Sequence, residues 1–169
     1  IAMPVLGGPK AVQEGHATYL PGGSEADLQR ASPVISSLGG TVRRYSAPPL
    51  ASTAKLTVNL LLLSGVVSLA ESFAVGRSGG LMPDQLRELL GNAVSPSVKS
   101  RFEALLGASW DGWWTTTLGA KDAGLAIDVA KGAGIDLTVA EAVRDAYLRA
   151  AADGYGDDDI AAVHHLYEA

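Results

Sequence analysis

The sequence predicts a mainly helical protein with a short α/β segment at its start. Three observations carry this. Strand-like stretches bounded by glycine and proline are confined to the first 47 residues. A long apolar helix dominates the middle, with no charge between Lys55 and Glu71. Beyond it, helical stretches with cap and stop signals follow one another to the end.

The elements follow in order. Pro4-Val5-Leu6 reads as a strand and Gly7-Gly8-Pro9 as its turn. Ala17 to Leu20 is a second short strand, closed by Pro21-Gly22-Gly23. Ser24 is an N-cap for a helix from Glu25 to Leu38, with Leu28, Ala31, Val34, Ile35 and Leu38 on one face. Gly39-Gly40 stops that helix, and Thr41 to Tyr45 reads as a strand. Residues 1–47 therefore form one unit and residues 48–169 a helical one. Ser52 or Thr53 caps the long helix, which runs to about Ser78. Short helices follow from Pro83 to about Asn92 and from Ser97 to Leu106, and Gly107 to Gly112 is a loop. Trp113 or Trp114 opens a helix to about Lys131. Thr138 and Glu141 have capping-box spacing for a helix ending at Gly154, and Asp157 caps a last helix from Asp158 to about Tyr167.

Composition excludes several classes of function. The 169 residues are 47% hydrophobic and 18% charged, with a net charge of −5 and no basic run, so a nucleic-acid surface is not expected. There is no cysteine, hence no disulfide or thiolate chemistry. His16, His164 and His165 lack metal-site spacing, because adjacent histidines on an α-helix point roughly 100° apart. No metal is expected, and His164 and His165 are placed at the surface. Leu56 to Ala70 makes about 22 Å of helix, short of the roughly 30 Å of a bilayer core, so no membrane span is expected. The start, Ile1-Ala2-Met3-Pro4-Val5, has no signal-peptide pattern and reads like the middle of a longer chain. A cytoplasmic location is expected.

The chemistry centres on Lys55 and Asn59. Four residues apart, they share one helix face, and a polar pair on an apolar helix must find partners or line a cleft. A lysine near a helix N-terminus, in apolar surroundings, has its pKa pushed toward neutrality, as a proton-transfer amine requires. The alternative is a lysine snorkelling at the end of a core helix. Gly7-Gly8 could cradle a carboxylate with backbone N–H groups or form a plain turn. Lys121-Asp122 reads from spacing as a solvated pair. Trp110, Trp113 and Trp114 could wall a planar ligand, although such a cluster is more often core. Asp157-Asp158-Asp159 lacks the alternation of a calcium loop and reads as capping.

Three segments together resemble the beta-hydroxyacid dehydrogenase family, which includes 3-hydroxyisobutyrate dehydrogenase and tartronate semialdehyde reductase. Ala2-Met3-Pro4-Val5-Leu6-Gly7-Gly8 stands where the family has D-x-P-V-S-G-G. Pro49 to Asn59 stands where it has G-x-G-x-x-x-K-x-x-N-N, matching at Lys55 and Asn59. Trp114 to Ala126 fits F-x-x-x-L-x-x-K-D-L-x-L-A, with Lys121-Asp122 in register. The resemblance covers nearly the whole chain. It implies the last strands of a Rossmann-type nucleotide domain followed by an all-helical domain around one long central helix. It implies hydride transfer between NAD or NADP and a small hydroxy acid or semialdehyde. Lys55 would be the acid/base, and Asn59 would orient lysine and substrate. Gly7 and Gly8 would cradle the substrate carboxylate, and Lys121 would lie beside the nicotinamide cofactor. A homodimer or higher homo-oligomer is implied too.

The departures matter. Leu6 replaces the serine that helps hold the substrate carboxylate, Pro49 and Ala51 replace two glycines, and Val58 replaces the first asparagine. No G-x-G-x-x-G occurs in the sequence, so these residues alone cannot make a pyrophosphate site. The isolated chain is expected to be inactive unless further chain supplies that site. Two alternatives remain: a non-catalytic helical dimerisation module, and an imine or other carbonyl reductase on the same architecture.

Overall fold

The computed structural model describes residues 1–106 and 112–168. These form two compact units, Ile1–Val58 and Asn59–Ala169. The division falls within one helix.

In the first unit, β1 (Val5–Leu6) pairs antiparallel with β2 (Thr18–Tyr19), Val5 opposite Tyr19. β2 pairs parallel with β3 (Thr41–Val42), Tyr19 opposite Val42, after a crossover through α2 (Glu25–Ser37). α2 starts where the side chain of Ser24 accepts the Asp27 N–H at 3.2 Å. Leu28 and Ile35 are its buried residues, and Ala17, Tyr19 and Leu20 are the buried apolar residues around β2. Gly40 has φ +73°, and a Cβ there would run into the carbonyl oxygen of Ala17, so the step from α2 into β3 requires glycine. The expected turn at Gly7-Gly8-Pro9 leads into a short helix, α1 (Pro9–Gln13), which the sequence reading missed.

The long helix α3 spans Pro48–Ser78, one turn longer at its start than Ser52 or Thr53 as cap would allow. The cause is Pro48-Pro49. Proline fits the first helical turn, where no N–H partner is needed, so the pair opens the helix instead of preceding it. Lys55 is therefore the eighth helical residue, and the field of the helix end, confined to the first turn, does not reach it.

In the second unit, α3 gives Leu63, Val66, Leu69, Ala70 and Phe73 to the core. Against them pack Leu86 of α4 (Pro83–Gly91), Val98 of α5 (Pro96–Lys99), and Phe102 and Leu105 of α6 (Phe102–Leu105). Ala120 and Ala123 of α7 (Thr116–Lys131), Val143 and Tyr147 of α8 (Thr138–Ala150), and Ile160 and Val163 complete the core. Phe73 and Phe102 meet edge-to-face at 4.9 Å between centroids. Each fully buried side chain of this size contributes about 1.5–3 kcal/mol. Gly119 allows close packing: a Cβ there would lie 3.1 Å from both Leu63 and Ile160. By length and composition α3 could cross a membrane, contrary to the expectation of a helix too short to span. Its central apolar residues instead line this core.

Several boundaries differ from the sequence reading. The helix expected over 97–106 is two short helices, α5 and α6, each closed after one turn. Thr138 does not cap α8. The cap is Leu137, and Glu141 pairs instead with Lys131 at 3.1 Å. Past α8 the chain makes one π-type turn, Ala151–Tyr155, where Gly154 takes φ +104°. Asp159, not Asp157, caps the last helix, a 3₁₀ helix over Ile160–Tyr167, by accepting the Ala161 N–H at 3.0 Å.

Candidate active site

The first unit places Lys55 against the strand that leads into Gly7-Gly8. Lys55 is half-buried, and its Nζ donates to the Val5 carbonyl at 2.8 Å. A partner fifty residues away fixes the ammonium near the end of β1, so it does not snorkel freely. Gly7 has φ +109°, a conformation side-chain-bearing residues rarely adopt, and a Cβ there would meet Ala11 at 3.0 Å. Gly8 is the N-cap residue of α1 with extended backbone. Ala51, at a motif position where the family has glycine, is fully buried, its methyl beside Gly22.

The second unit gathers Asn59, Lys121 and Asp122. Asn59 is buried, and its Nδ2 donates to Asp122 Oδ2 at 2.8 Å. Lys121 Nζ lies 2.8 Å from Asp122 Oδ1. One carboxylate thus holds both polar residues, one on each oxygen. Spacing alone had suggested a solvated Lys-Asp pair, and half of that is wrong. The Lys121 side chain is 57% exposed while that of Asp122 is only 10% exposed. The reason is that α7 turns its Asp122 face toward Asn59 of α3, a partner 63 residues away in sequence. Asp122 is the residue that sequence reasoning missed. Its signal was present in the K-D pair of the third motif, but only the lysine was given a role.

Other expectations fall elsewhere. Trp110 lies outside the described residues. Trp114 is buried in the core and stacks on half-exposed Trp113 at 6.1 Å, so this pair serves packing. His164 was expected at the surface but is buried. It sits on the 3₁₀ helix, with its Nδ1 bonded to the Ala161 carbonyl at 2.8 Å. Burial holds its pKa below the usual histidine value, with the Ala161 bond opposing.

Comparison with known proteins agrees with the geometry. Residues 50–167 match the profile of the NAD-binding domain of NADP-dependent 3-hydroxyisobutyrate dehydrogenase. Residues 1–46 match that of the NAD binding domain of 6-phosphogluconate dehydrogenase. The chain is 29% identical to 2-(hydroxymethyl)glutarate dehydrogenase of Eubacterium barkeri, covering 98% of itself and 56% of that protein. It is 28% identical to L-threonate dehydrogenase of Escherichia coli K12, covering 97% of itself and 55% of the relative. The crystal structure of 3-hydroxyisobutyrate dehydrogenase from Salmonella typhimurium superposes with a TM-score of 0.88 at 26% identity, over 97% of this chain and 59% of that one. The chain thus spans a little over half the length of these relatives. With a matching profile over most of its residues, three family motifs in order and the same fold, the chain belongs to the beta-hydroxyacid dehydrogenase family.

Proposed function

We propose that this chain carries the substrate-facing part of an NAD- or NADP-dependent dehydrogenase acting on a small hydroxy acid or its semialdehyde. The observation that carries the reading is the half-buried Lys55 ammonium held on the Val5 carbonyl of β1, the strand that leads into Gly7-Gly8. In the reducing direction Lys55 Nζ donates a proton to the carbonyl oxygen of the substrate, and in the oxidising direction it takes that proton back from the hydroxyl. Asn59, one turn further along α3, orients the substrate oxygen, and Asp122 fixes the Asn59 amide by accepting from it. Gly7 and Gly8 are the residues that would cradle the substrate carboxylate through their backbone N–H groups. Leu6 supplies no hydroxyl there, which favours substrates whose carboxylate is held by backbone alone.

The residues present fit the nicotinamide end of the cofactor. Lys121 keeps an exposed ammonium anchored by Asp122 and is the residue that would lie beside it. The nicotinamide, when bound, supplies the hydride. The cofactor's pyrophosphate would be held by a glycine-rich fingerprint that these 169 residues do not contain. Leu61 and Val75 on α3 are 76% and 73% exposed, which favours a second copy of the chain as partner.

The test is Lys55→Ala in the complete gene product. Turnover should fall about 100-fold or more, the usual contribution of a positioned acid/base. A loss within about tenfold, roughly 1.4 kcal/mol of barrier, refutes the role of Lys55. If the complete product dimerises but neither binds a nicotinamide cofactor nor turns over semialdehydes, the dimerisation-module reading replaces this one.

A further inference from the structure

Apart from the proposed active site, three ligating side chains converge at the end of the chain. His164 Nε2 lies 3.4 Å from Glu168 Oε1, and His165 Nδ1 lies 2.8 Å from Glu168 Oε2. Taking one ligand atom from each residue, all three lie within 4.8 Å of one another. We propose that His164, His165 and Glu168 form a binding site for a zinc-class divalent metal ion.

The geometry suits such an ion. With metal–ligand bonds of about 2.0–2.1 Å, neighbouring ligands of a tetrahedral zinc site stand roughly 3.4 Å apart. The His164–Glu168 edge already has that length. The His165–Glu168 edge is a hydrogen bond that widens when the metal replaces its proton.

The tautomer of His164 is prepared. Its Nδ1 contacts the Ala161 carbonyl, which can only accept, so Nδ1 carries the hydrogen and Nε2 turns a lone pair toward Glu168. A ligating histidine whose other nitrogen donates to a backbone carbonyl is the common arrangement at metal centres. The ring of His165 stacks on Tyr155 at 4.2 Å and tilts over His164 at 4.0 Å, which fixes its plane. For His165 to ligate through Nδ1, its proton moves to Nε2 and the ring stays neutral.

Two imidazoles and one carboxylate select zinc, nickel or copper over magnesium or calcium, which prefer all-oxygen sites. Glu168 is exposed, and its Oε1 also lies 4.0 Å from Arg77 Nη1, a cation the metal would have to outcompete. The expectation of no metal came from His16, His164 and His165, which lack metal-site spacing with one another. The third ligand, Glu168, lies four residues on from His164 and three from His165, the spacing that places it beside both rings. A metal here would clamp the last turn of the chain, independently of any role of Lys55.

The test is calorimetric titration of the untagged chain with zinc chloride at pH 7.5. One equivalent should bind with micromolar affinity. Glu168→Gln and His165→Ala, both changes outside the core, should each weaken binding by about tenfold or more, with circular dichroism unchanged. His16→Ala, at the only other histidine, should leave binding unaltered. Cobalt(II) in place of zinc should shift the ring protons of both His164 and His165 in NMR spectra. Absence of saturable binding, or binding that Glu168→Gln and His165→Ala leave intact, overturns the proposal.

Discussion

Replacing Asp122 by alanine removes the acceptor that holds Asn59. The Asn59 Nδ2 is then a buried donor with its 2.8 Å partner gone, a loss of about 1–3 kcal/mol. The Lys121 contact adds little, about 0–1 kcal/mol, because that side chain is more than half exposed and screened by solvent. The sum is about 1–4 kcal/mol. Urea unfolding followed by tryptophan fluorescence is the assay, since all three tryptophans lie between residues 110 and 114 and so report on the second unit. With a slope of about 1–3 kcal/mol per molar urea, the midpoint should drop by about 1 M. Asp122→Asn keeps an acceptor for Asn59 while losing the charge, and should stay within about 1 kcal/mol of the parent. The decisive measurement is the cycle with Asn59→Ala, because removing both partners leaves no orphan. A coupling of about 1–2 kcal/mol is expected, and additivity within about 0.5 kcal/mol would refute the linkage.

Two further outcomes follow from the fold. Burial, reinforced by the charge of Asp159 and opposed by Arg101, holds the Tyr147 phenol well above its ordinary value of 10.0. Above about pH 10 the unfolded chain therefore releases a proton that the folded one keeps, so stability should fall with rising pH there. Tyr147→Phe should flatten that alkaline decline in thermal unfolding, at a cost of about 1 kcal/mol near neutrality for the lost bond to the Leu63 carbonyl. Gly40→Ala should destabilise the first unit by at least about 1–2 kcal/mol, from the left-handed backbone alone, before the collision with the Ala17 carbonyl. Hydrogen exchange of the Thr41 amide, which bonds that same carbonyl at 2.9 Å, should speed up.

Much of this architecture was legible before any coordinates. The cap at Ser24, the stop at Gly39-Gly40 and the apolar run after Lys55 are local signals, and each acts within one or two helical turns. Where local signals misled, a competing local choice or a distant partner won. Pro48-Pro49 opened α3 early, and Glu141 took Lys131 instead of the N-terminal amide of its helix. Lys55 and Asn59 were visible as polar residues on an apolar helix, but their acceptors, the Val5 carbonyl and Asp122, were not.

The sequence by itself determined that the chain is mainly helical, which helix is the apolar one and which polar residues stand on it, because side-chain periodicity and most caps are written in near neighbours. Only the tertiary structure decided that Asp122 is buried under Asn59 and that Lys55 is pinned to β1. Those facts depend on backbone paths that bring together groups 63 and 50 residues apart, which no local pattern encodes.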